Sequence, residues 1–291
     1  MESSERGVLY LVATPIGNLG DLSPRAVEIL GSVSLIAAED TRHTRKLLSA
    51  NDLATELLSY REHNHARVFQ RILERLETGR DVALVSDAGT PGISDPGQAL
   101  VAAAVARGLR VSPIPGACAA VAALAASGLP SDRFLFVGFP PRKTGALRRW
   151  AEGLAREPGS LLLYESPQRI AKTLAILAEL WPERRAVVAR ELTKLHEEMD
   201  HGELSELASR WDREVKGELV LVVEGIEEDV SGEKLAPELE RLMPLAAALR
   251  DDKALSAKDT ARLLADCLDV DKRQAYALVS RGLATPGGEE D

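Results

Sequence analysis

The sequence predicts an α/β protein with two sheets, the first parallel and the second mixed. Short apolar runs alternate with amphipathic helical stretches over most of the chain, and this alternation is typical of α/β folds. The early runs, such as VALV at 82–85, are apolar throughout, as strands are when helices cover both faces. The later runs lie closer to connections rich in Gly and Pro, which favours a mixed sheet there.

Apolar runs of strand length mark the predicted strands, and an alanine-rich stretch, 117–128, separates two sets of them. Small side chains let such a helix pack closely, so we expect it to connect the two sets. We therefore predict a first α/β domain over 1–117 and a second over 118–226. The predicted strands are 8–13, 34–39, 82–86, 110–115, 134–139, 160–165, 186–191 and 218–224.

The chain changes character after Glu224. A polar linker, EEDVSGEK, is followed by helical sequence only, which predicts a C-terminal helical module over 234–285. Ser256 and Asp259 form a capping pair that begins an amphipathic helix, and a turn and a second helix bearing Lys272 follow. This pattern fits a helix-turn-helix and a plain dimerising or capping hairpin equally well. The final residues, TPGGEED, are predicted to be disordered.

Composition excludes several classes of protein. Two cysteines, Cys118 and Cys267, are too few for a disulfide framework, and the five histidines lack metal-ligand spacing, so we expect no metal. No apolar stretch reaches membrane-spanning length and the start lacks a signal-peptide pattern, so we expect a cytoplasmic protein without a membrane partner. A net charge of −9 argues against nucleic-acid binding over the whole surface, but not against a local basic stripe.

Two glycine-rich loops follow predicted strands: ATPIGNLGD at 13–21 and SDAGTPGISDPG at 86–97. In open α/β sheets ligands gather beyond the carboxyl ends of the strands, so these loops predict a binding crevice. Neither loop contains Lys or Arg, which excludes a P-loop, and the spacing of Gly89 and Gly92 does not match a dinucleotide fingerprint. Asp87 and Asp95 would also repel a pyrophosphate.

Aspartates and glycines without cations favour a ligand that carries positive charge and hydroxyl groups but no phosphate. S-Adenosylmethionine (AdoMet) has a sulfonium, an α-ammonium and a ribose diol, and glycines let the backbone approach it closely. The alternative is a pair of tight turns whose aspartates cap the following helices.

Several motifs in order resemble one family. The chain is similar to the ribosomal RNA small-subunit methyltransferase I family, within the tetrapyrrole-methylase-like superfamily, over about residues 7–225, and 255–283 resembles that family's C-terminal helix-turn-helix. The resemblance implies AdoMet-dependent 2′-O-methylation of a cytidine in small-subunit (16S) ribosomal RNA by a homodimer. It also implies the two-domain fold of that superfamily. The motifs are TPIGNLGD, AAEDTRHTRKLL, SDAGTPGISDPG, PIPGACAAVAALAASGLPSDRFLFVGFPPRK, YESPQR and ARELTKLHEE.

The resemblance also implies site residues. In the superfamily the cofactor lies in a cleft between two α/β domains. The positions carried over as cofactor-binding are Pro15, Asp87, Ala88, Gly89, Ile93, Cys118, Ala119 and Tyr164.

A ribose hydroxyl is a weak acid, so its methylation calls for a base or a nearby cation. The family's signature stretches supply candidates, each of which could instead be a buried ion pair at a strand end. The catalytic candidates are Glu39, Glu165, Arg190 and Lys194, followed by Asp40 and Glu191, with His63 and Asn64 as weaker substrate-side candidates. For REHNH at 61–65 a polar helix start is the alternative to a metal or nuclease site.

Two basic clusters could bind the phosphates of RNA or of an assembled small subunit, or could simply be solvated faces. Aromatic residues make up 4% of the chain, which offers few stacking platforms and favours recognition of RNA shape. The clusters are Arg42, Arg45 and Lys46, and Arg142, Lys143, Arg148 and Arg149.

Two alternatives remain. A methyltransferase acting on a tetrapyrrole or another small molecule would not need the basic clusters or the C-terminal module. A non-catalytic RNA-binding or assembly factor would not need intact glycine loops.

Overall fold

The computed structural model describes residues 6–60, 65–226 and 256–268, together with 272, 275, 276 and 279. The chain divides into two compact units, residues 1–226 and 227–291. The first unit holds two five-stranded sheets. The strands are β1 (Val8–Val12), β2 (Leu35–Ala38), β3 (Leu57–Ser59), β4 (Val82–Val85), β5 (Arg110–Ile114), β6 (Phe134–Gly138), β7 (Ser160–Glu165), β8 (Arg185–Arg190), β9 (Glu198–Glu203) and β10 (Leu219–Val223).

Helices connect most of these strands, and one described helix belongs to the second unit. They are α1 (Pro24–Ser32), α2 (Thr41–Ser49), α3 (His65–Glu77), α4 (Gln98–Ala106), α5 (Ala119–Ser127), α6 (Thr144–Gly153), α7 (Ile170–Leu180), α8 (Leu204–Arg210) and, in the second unit, α9 (Ala257–Leu268).

The first sheet is parallel throughout, in the order β3-β2-β4-β1-β5. Every residue of β2 and β4 is buried because helices cover both faces. Leu84 belongs to the apolar cluster on one face, and Ala83 and Val85 belong to the cluster on the other. All strands point the same way, so the loops after β1, β2 and β4 meet at one edge of the sheet.

The second sheet is mixed, in the order β6-β7-β10-β8-β9. β6 and β7 are parallel, whereas β10 runs antiparallel to both of its neighbours and β9 runs antiparallel to β8. Ala120, Ala123 and Leu124 of α5 pack against Leu162 and Val220 on one face of this sheet. The helix ends at a glycine in the left-handed region, at 128. The predicted combination of a parallel and a mixed sheet is confirmed.

Two edge strands are absent from the prediction. β3 has three residues, too few for a periodic signal. β9 reads EMDHGE and lies half-exposed against β8, so it lacks the apolar alternation that marks a strand. Pairing with a neighbour, rather than its own sequence pattern, makes each of them a strand.

In the second unit, α9 confirms the predicted helix and its capping pair, because the hydroxyl oxygen of Ser256 accepts a hydrogen bond from the backbone N–H of Asp259 at 3.1 Å. The predicted linker at 227–234 and the final residues lie outside the described residues, and most of the predicted second helix does too. The domain boundary at 117/118 stays a prediction. Among the described residues, no helix combines the length and apolar character needed to cross a membrane.

Candidate functional site

A cavity of about 460 Å³ lies where the loops of the two sheets meet. The loops after β2, β4 and β7, the start of α5 and strand β10 all contribute to its wall. Its volume is in the range of ligand pockets for molecules of cofactor size. Its lining residues are Ile16, Glu39, Asp87, Ala88, Gly89, Thr90, Ile93, Ser94, Asp95, Cys118, Ala119, Phe139, Tyr164, Glu165, Ser166, Pro167, Ala189, Leu192, Gly217, Glu218, Leu219 and Val220.

The two glycine-rich loops are joined by backbone hydrogen bonds. The N–H of Thr14 donates to the carbonyl of Gly89 at 2.9 Å, and the N–H of Gly89 donates back to Thr14 at 3.0 Å. The backbone of Gly89 has φ of 81° and that of Gly92 has φ of 83°, a region that favours glycine. These glycines therefore shape the loop that carries the aspartates to the cavity.

The carboxylate of Asp87 connects two loops of the first sheet. Its Oδ1 accepts a hydrogen bond from the backbone N–H of Asp40 at 2.9 Å. Asp40 in turn begins α2, where its side chain accepts from the N–H of Arg42 and forms an ion pair with that guanidinium at 2.8 Å. Asp87 thus fixes the neighbouring Glu39, which lines the cavity.

Asp95 lines the same cavity, and the sequence predicts for it only a shared role with Asp87 in favouring a cationic ligand over a phosphorylated one. Burial raises the pKa of Asp95, a hydrogen bond with the Ser86 side chain lowers it, and the charge of Asp87 raises it further, so the net shift is upward. The signal available in the sequence is a second aspartate eight residues after the first, in the same glycine-rich loop.

The charged lining of the cavity consists of carboxylates. They are Glu39, Asp87, Asp95, Glu165 and Glu218, and none of the described lining residues is Lys, Arg or His. A wall of this composition attracts cations and repels phosphates. No group of three or more His, Cys, Asp or Glu side chains in the described part of the chain is arranged to hold a metal ion.

Both carboxylate oxygens of Glu165 accept hydrogen bonds. Its Oε1 accepts from the backbone N–H of Ser166 at 2.8 Å, and its Oε2 accepts from the Thr173 hydroxyl at 2.6 Å. The guanidinium of Arg169 lies 3.2 Å from Oε2, and the carboxyl side chain is wholly buried. These contacts favour a positioning role for this catalytic candidate.

Two other catalytic candidates, Arg190 and Lys194, are absent from the cavity lining. The Nε of Arg190 donates to Glu198 at 2.8 Å. The ammonium of Lys194 lies 2.8 Å from carboxylate oxygens of both Glu191 and Glu218. Burial alone would lower the pKa of Lys194, but these two carboxylates outweigh burial and the net shift is upward. The pKa of Glu191 is lowered, mainly by the hydrogen bond from Lys194.

The 191–194 turn has an unusual backbone and touches the first glycine-rich loop. Glu191 and Thr193 have φ of 52° and 66°, which side-chain-bearing residues rarely adopt. A Cβ on Gly17 would lie 2.4 Å from the Cγ of Lys194, so only glycine allows this approach. Pro15, predicted to contact the cofactor, is partly buried in the same loop but is not part of the cavity lining.

Aromatic side chains close the cavity on the side of the second sheet. Burial raises the pKa of Tyr164 to about 12. The ring of Phe139 lies 5.6 Å from that of Tyr164, centroid to centroid, at an interplanar angle of 59°. Phe139 is 57% exposed, so it stands at the rim.

Most of the predicted site residues meet in one cavity, whereas Pro15, Asp40, Arg190, Glu191 and Lys194 do not line it. His63 and Asn64 lie outside the described residues. Sequence reasoning assigned no role to Phe139 or Glu218, and it gave Asp95 only as an acidic loop residue that favours a cationic ligand. The predicted residues brought together are Glu39, Asp87, Ala88, Gly89, Ile93, Cys118, Ala119, Tyr164 and Glu165.

In each basic cluster one arginine forms an ion pair and the remaining cations are exposed. The Arg42 guanidinium, 81% exposed, is held by Asp40, and that of Arg148 is held by Glu179. The remaining members of the two clusters are exposed: Arg45, Lys46, Arg142, Lys143 and Arg149.

Comparison with known proteins establishes the class first. Residues 8–208 match the family described as Tetrapyrrole (Corrin/Porphyrin) Methylases. A solved uroporphyrin-III C-methyltransferase from Thermus thermophilus, complexed with S-adenosylhomocysteine, is similar at a TM-score of 0.52 and 20% identity, covering 74% of this chain and 97% of that one. Diphthine synthase is similar at a TM-score of 0.57 and 16% identity, covering 75% and 90%. The chain is therefore a methyltransferase of the tetrapyrrole methylase fold.

Sequence relatives define the particular branch. The ribosomal RNA small subunit methyltransferase I of Synechocystis sp. is 47% identical over 94% of this chain and 97% of its own length. The protein of that name from Pseudomonas aeruginosa is 44% identical over 93% and 95%. This chain belongs to the ribosomal RNA small subunit methyltransferase I family, which confirms the predicted family and fold.

Proposed function

We propose that this protein transfers the methyl group of AdoMet to a ribose 2′-hydroxyl of a cytidine in small-subunit ribosomal RNA. The observation that carries the proposal is the cavity wall, whose charged residues are all carboxylates, in a chain of this family. Such a wall suits a cationic methyl donor and disfavours phosphorylated nucleotides.

The residues of the cavity fit AdoMet. Asp87 and Asp95 supply negative charge, and Gly89 lets the backbone approach a ligand at a turn with positive φ. Cys118 and Ala119 begin α5 with small side chains that leave room for the ligand. When bound, AdoMet supplies a methyl group on a positively charged sulfur. We propose that Ala88, Ile93 and Tyr164 complete its contacts, with Pro15 supporting the first loop.

The residues of the chain must hold the substrate hydroxyl in line with the donor and accept its proton. We propose a carboxylate oxygen of Asp95 as the proton acceptor, because this side chain lines the cavity and its pKa is raised towards the working range. Glu39 is the second candidate, since it lines the cavity where Asp87 fixes the loop. Glu165, Arg190 and Lys194 are proposed to act through positioning, since their charges are already paired.

The RNA substrate follows from the family name of the relatives, and exposed cations around the site support it. Arg142 and Lys143 are exposed in the segment after Phe139, while Arg45 and Lys46 are exposed on α2. Phosphate groups of RNA or of an assembled subunit would find charge on both sides of the cavity. A cytoplasmic location follows from a ribosomal substrate.

We also propose a homodimer that uses the outer face of α5. This helix contains no charged residue, yet Val121, Ala122, Ala125 and Ala126 are exposed together on one face. A patch of small apolar side chains suits close approach of a second copy. Ala125→Glu should convert a dimer to a monomer in analytical ultracentrifugation, and a wild-type monomer would overturn this part of the proposal.

The decisive experiment incubates the protein with methyl-labelled AdoMet and small ribosomal subunits that lack the modification. We expect label in the RNA and a single new 2′-O-methyl cytidine on mapping by mass spectrometry. Transfer to a tetrapyrrole but not to RNA would support the small-molecule alternative, and absence of donor binding would support a non-catalytic factor. The relatives named for ribosomal RNA favour neither alternative.

A further inference from the structure

We infer that Phe139 is the stacking platform for the base of the target nucleotide, and that Arg142 and Lys143 bind the phosphates beside it. This inference rests on the proposed RNA substrate and adds the residues that recognise the nucleotide. Insertion of a ribose into a recessed cavity draws its nucleotide away from its stacked neighbours, as in enzymes that extrude a nucleotide from its helix. An aromatic face at the rim compensates for the stacking that is lost.

Phe139 is distinguished by its exposure. In the described part of the first unit, Phe134 and Phe139 are the exposed aromatic side chains, and of these two Phe139 alone lines the cavity. Exposing a phenyl ring to water has a cost that a folded protein normally avoids. A ligand that covers this ring would account for its position.

The backbone before Phe139 turns it towards the cavity. The pairing of β6 with β7 is irregular between Phe136 and Gly138, and Gly138 has φ of 64°. Irregularities of this kind at the end of a strand redirect the next side chain, often beside an active site. As a result Phe139 meets Tyr164 in the cavity wall instead of continuing the strand.

Two cations, Arg169 and Lys172, hold the segment that follows through its backbone carbonyls. The guanidinium of Arg169 donates to the carbonyls of Pro140 and Pro141 at 2.7 and 3.2 Å, and it is also the ion-pair partner of buried Glu165. The ammonium of Lys172 donates to the carbonyl of Arg142 at 3.3 Å. The rim is thus anchored through its carbonyls to the core of the second sheet.

This anchoring leaves the side chains of Arg142 and Lys143 exposed next to Phe139. Within the described residues, neither makes an ion pair. An aromatic face followed by two cations is a combination that binds single-stranded nucleic acid, with the base on the ring and the backbone on the charges. The carboxylate wall below would repel phosphates, so it admits the sugar while the phosphates stay at the rim.

The test compares Phe139→Ala with Phe139→Trp, Phe139→Leu and the matched control Phe134→Ala. The measured quantities are KM and kcat for unmodified small subunits and the Kd for AdoMet by calorimetry. We expect Phe139→Ala to lower kcat/KM for RNA by about tenfold to a hundredfold with AdoMet affinity unchanged. Phe139→Trp should retain the activity that Phe139→Ala loses. Phe139→Leu should not retain it, because leucine is apolar but has no π face. Phe134→Ala should match the wild type.

A direct readout uses RNA with the fluorescent base pyrrolocytidine at the target position. Stacking should quench its fluorescence on binding to the wild type, and Phe139→Ala should abolish the quenching. A parallel loss of AdoMet affinity would overturn the inference and place the ring on the adenine of the donor. Full rescue by leucine, or an unchanged KM in a folded Phe139→Ala variant, would overturn it as well. A wild type that methylates no RNA would instead refute the proposed function.

Discussion

Both walls of the cavity carry carboxylates, but the carboxylates of the two walls differ in their ion pairing. Asp87 and Asp95, from the first sheet, make no ion pair with the residues that the structure describes. Glu165 and Glu218, from the second sheet, pair with Arg169 and Lys194. The first wall therefore keeps net negative charge for a ligand, whereas the second wall uses its carboxylates to hold loops in place.

This difference separates residues that bind from residues that position. A carboxylate with its charge already matched contributes little attraction to an incoming cation, while an unmatched one contributes its full field in a partly enclosed site. Substitutions in the first wall should therefore change ligand affinity or chemistry with little loss of stability. Substitutions in the second wall should change stability first.

The largest effect is expected for Asp95→Asn. If Asp95 accepts the proton of the ribose hydroxyl, kcat at saturating AdoMet should fall by at least about a hundredfold. Asn keeps the size of the side chain but removes its charge, so donor affinity should fall as well, and saturating AdoMet separates that loss from the change in kcat. Single-turnover kinetics with labelled AdoMet measures the step, and Asp132→Asn, an exposed aspartate outside the lining, is the control. A kcat within threefold of the wild type would exclude Asp95 as the proton acceptor and leave Glu39 as the candidate.

The same substitution should raise stability at neutral pH. Because burial raises the pKa of Asp95, the folded chain holds this proton more tightly than the unfolded chain does. The contribution of Asp95 to stability is therefore lost as pH rises from the unfolded value of 3.8 through the higher folded value. At pH 7.5 the Tm of Asp95→Asn should exceed that of the wild type by about 1–2 °C, and the difference should vanish in acid. A lower Tm at pH 7.5 would contradict the direction of this shift.

The next largest effect is expected for Glu165→Gln in the second wall. The substitution leaves Arg169 partly buried without its counter-charge, so the free energy of unfolding should fall by about 3 kcal/mol. Urea unfolding followed by tryptophan fluorescence measures this change. Arg169→Met in the same background should add little further loss, because both variants remove one interaction. Full additivity of the two single changes would show that the pair does not couple.

A smaller effect is expected for Asp87→Asn in the first wall. Asn still accepts the hydrogen bond from the N–H of Asp40 but loses the negative charge. We expect AdoMet affinity to fall by roughly tenfold to a hundredfold and the free energy of unfolding to change by less than about 0.5 kcal/mol. Calorimetric titration measures the AdoMet affinity, and urea unfolding measures the free energy of unfolding. A large loss of stability with unchanged affinity would make Asp87 a structural residue and reverse the comparison between the walls.

The sequence predicts the first wall better than the second for a physical reason. The glycines and aspartates of the 86–97 loop lie within twelve consecutive residues. They predict the turn, its backbone geometry and its negative charge. The pairing of Glu218 with Lys194 joins residues 24 positions apart, and the anchoring of Pro140 by Arg169 joins residues 29 apart. Such contacts depend on the packing of the second sheet. Strand β9 escaped prediction for the same reason, since only its pairing with β8 defines it.

The smallest effect is expected for the exposed cations of helix α2, which follows strand β2 of the first sheet. Arg45 and Lys46 are exposed and one turn from Arg42, whose charge Asp40 already matches. If they bind phosphates, replacing both with Ala should weaken RNA binding about two- to fivefold at physiological salt. The slope of log affinity against log salt should become shallower by roughly one to two.

Arg110→Ala provides the control, because this exposed arginine begins β5 at the opposite end of the sheet from the loops. An unchanged salt slope for the double variant would leave the rim after Phe139 as the phosphate-binding surface of the first unit. Recognition of RNA would then belong to the second wall and binding of the donor to the first.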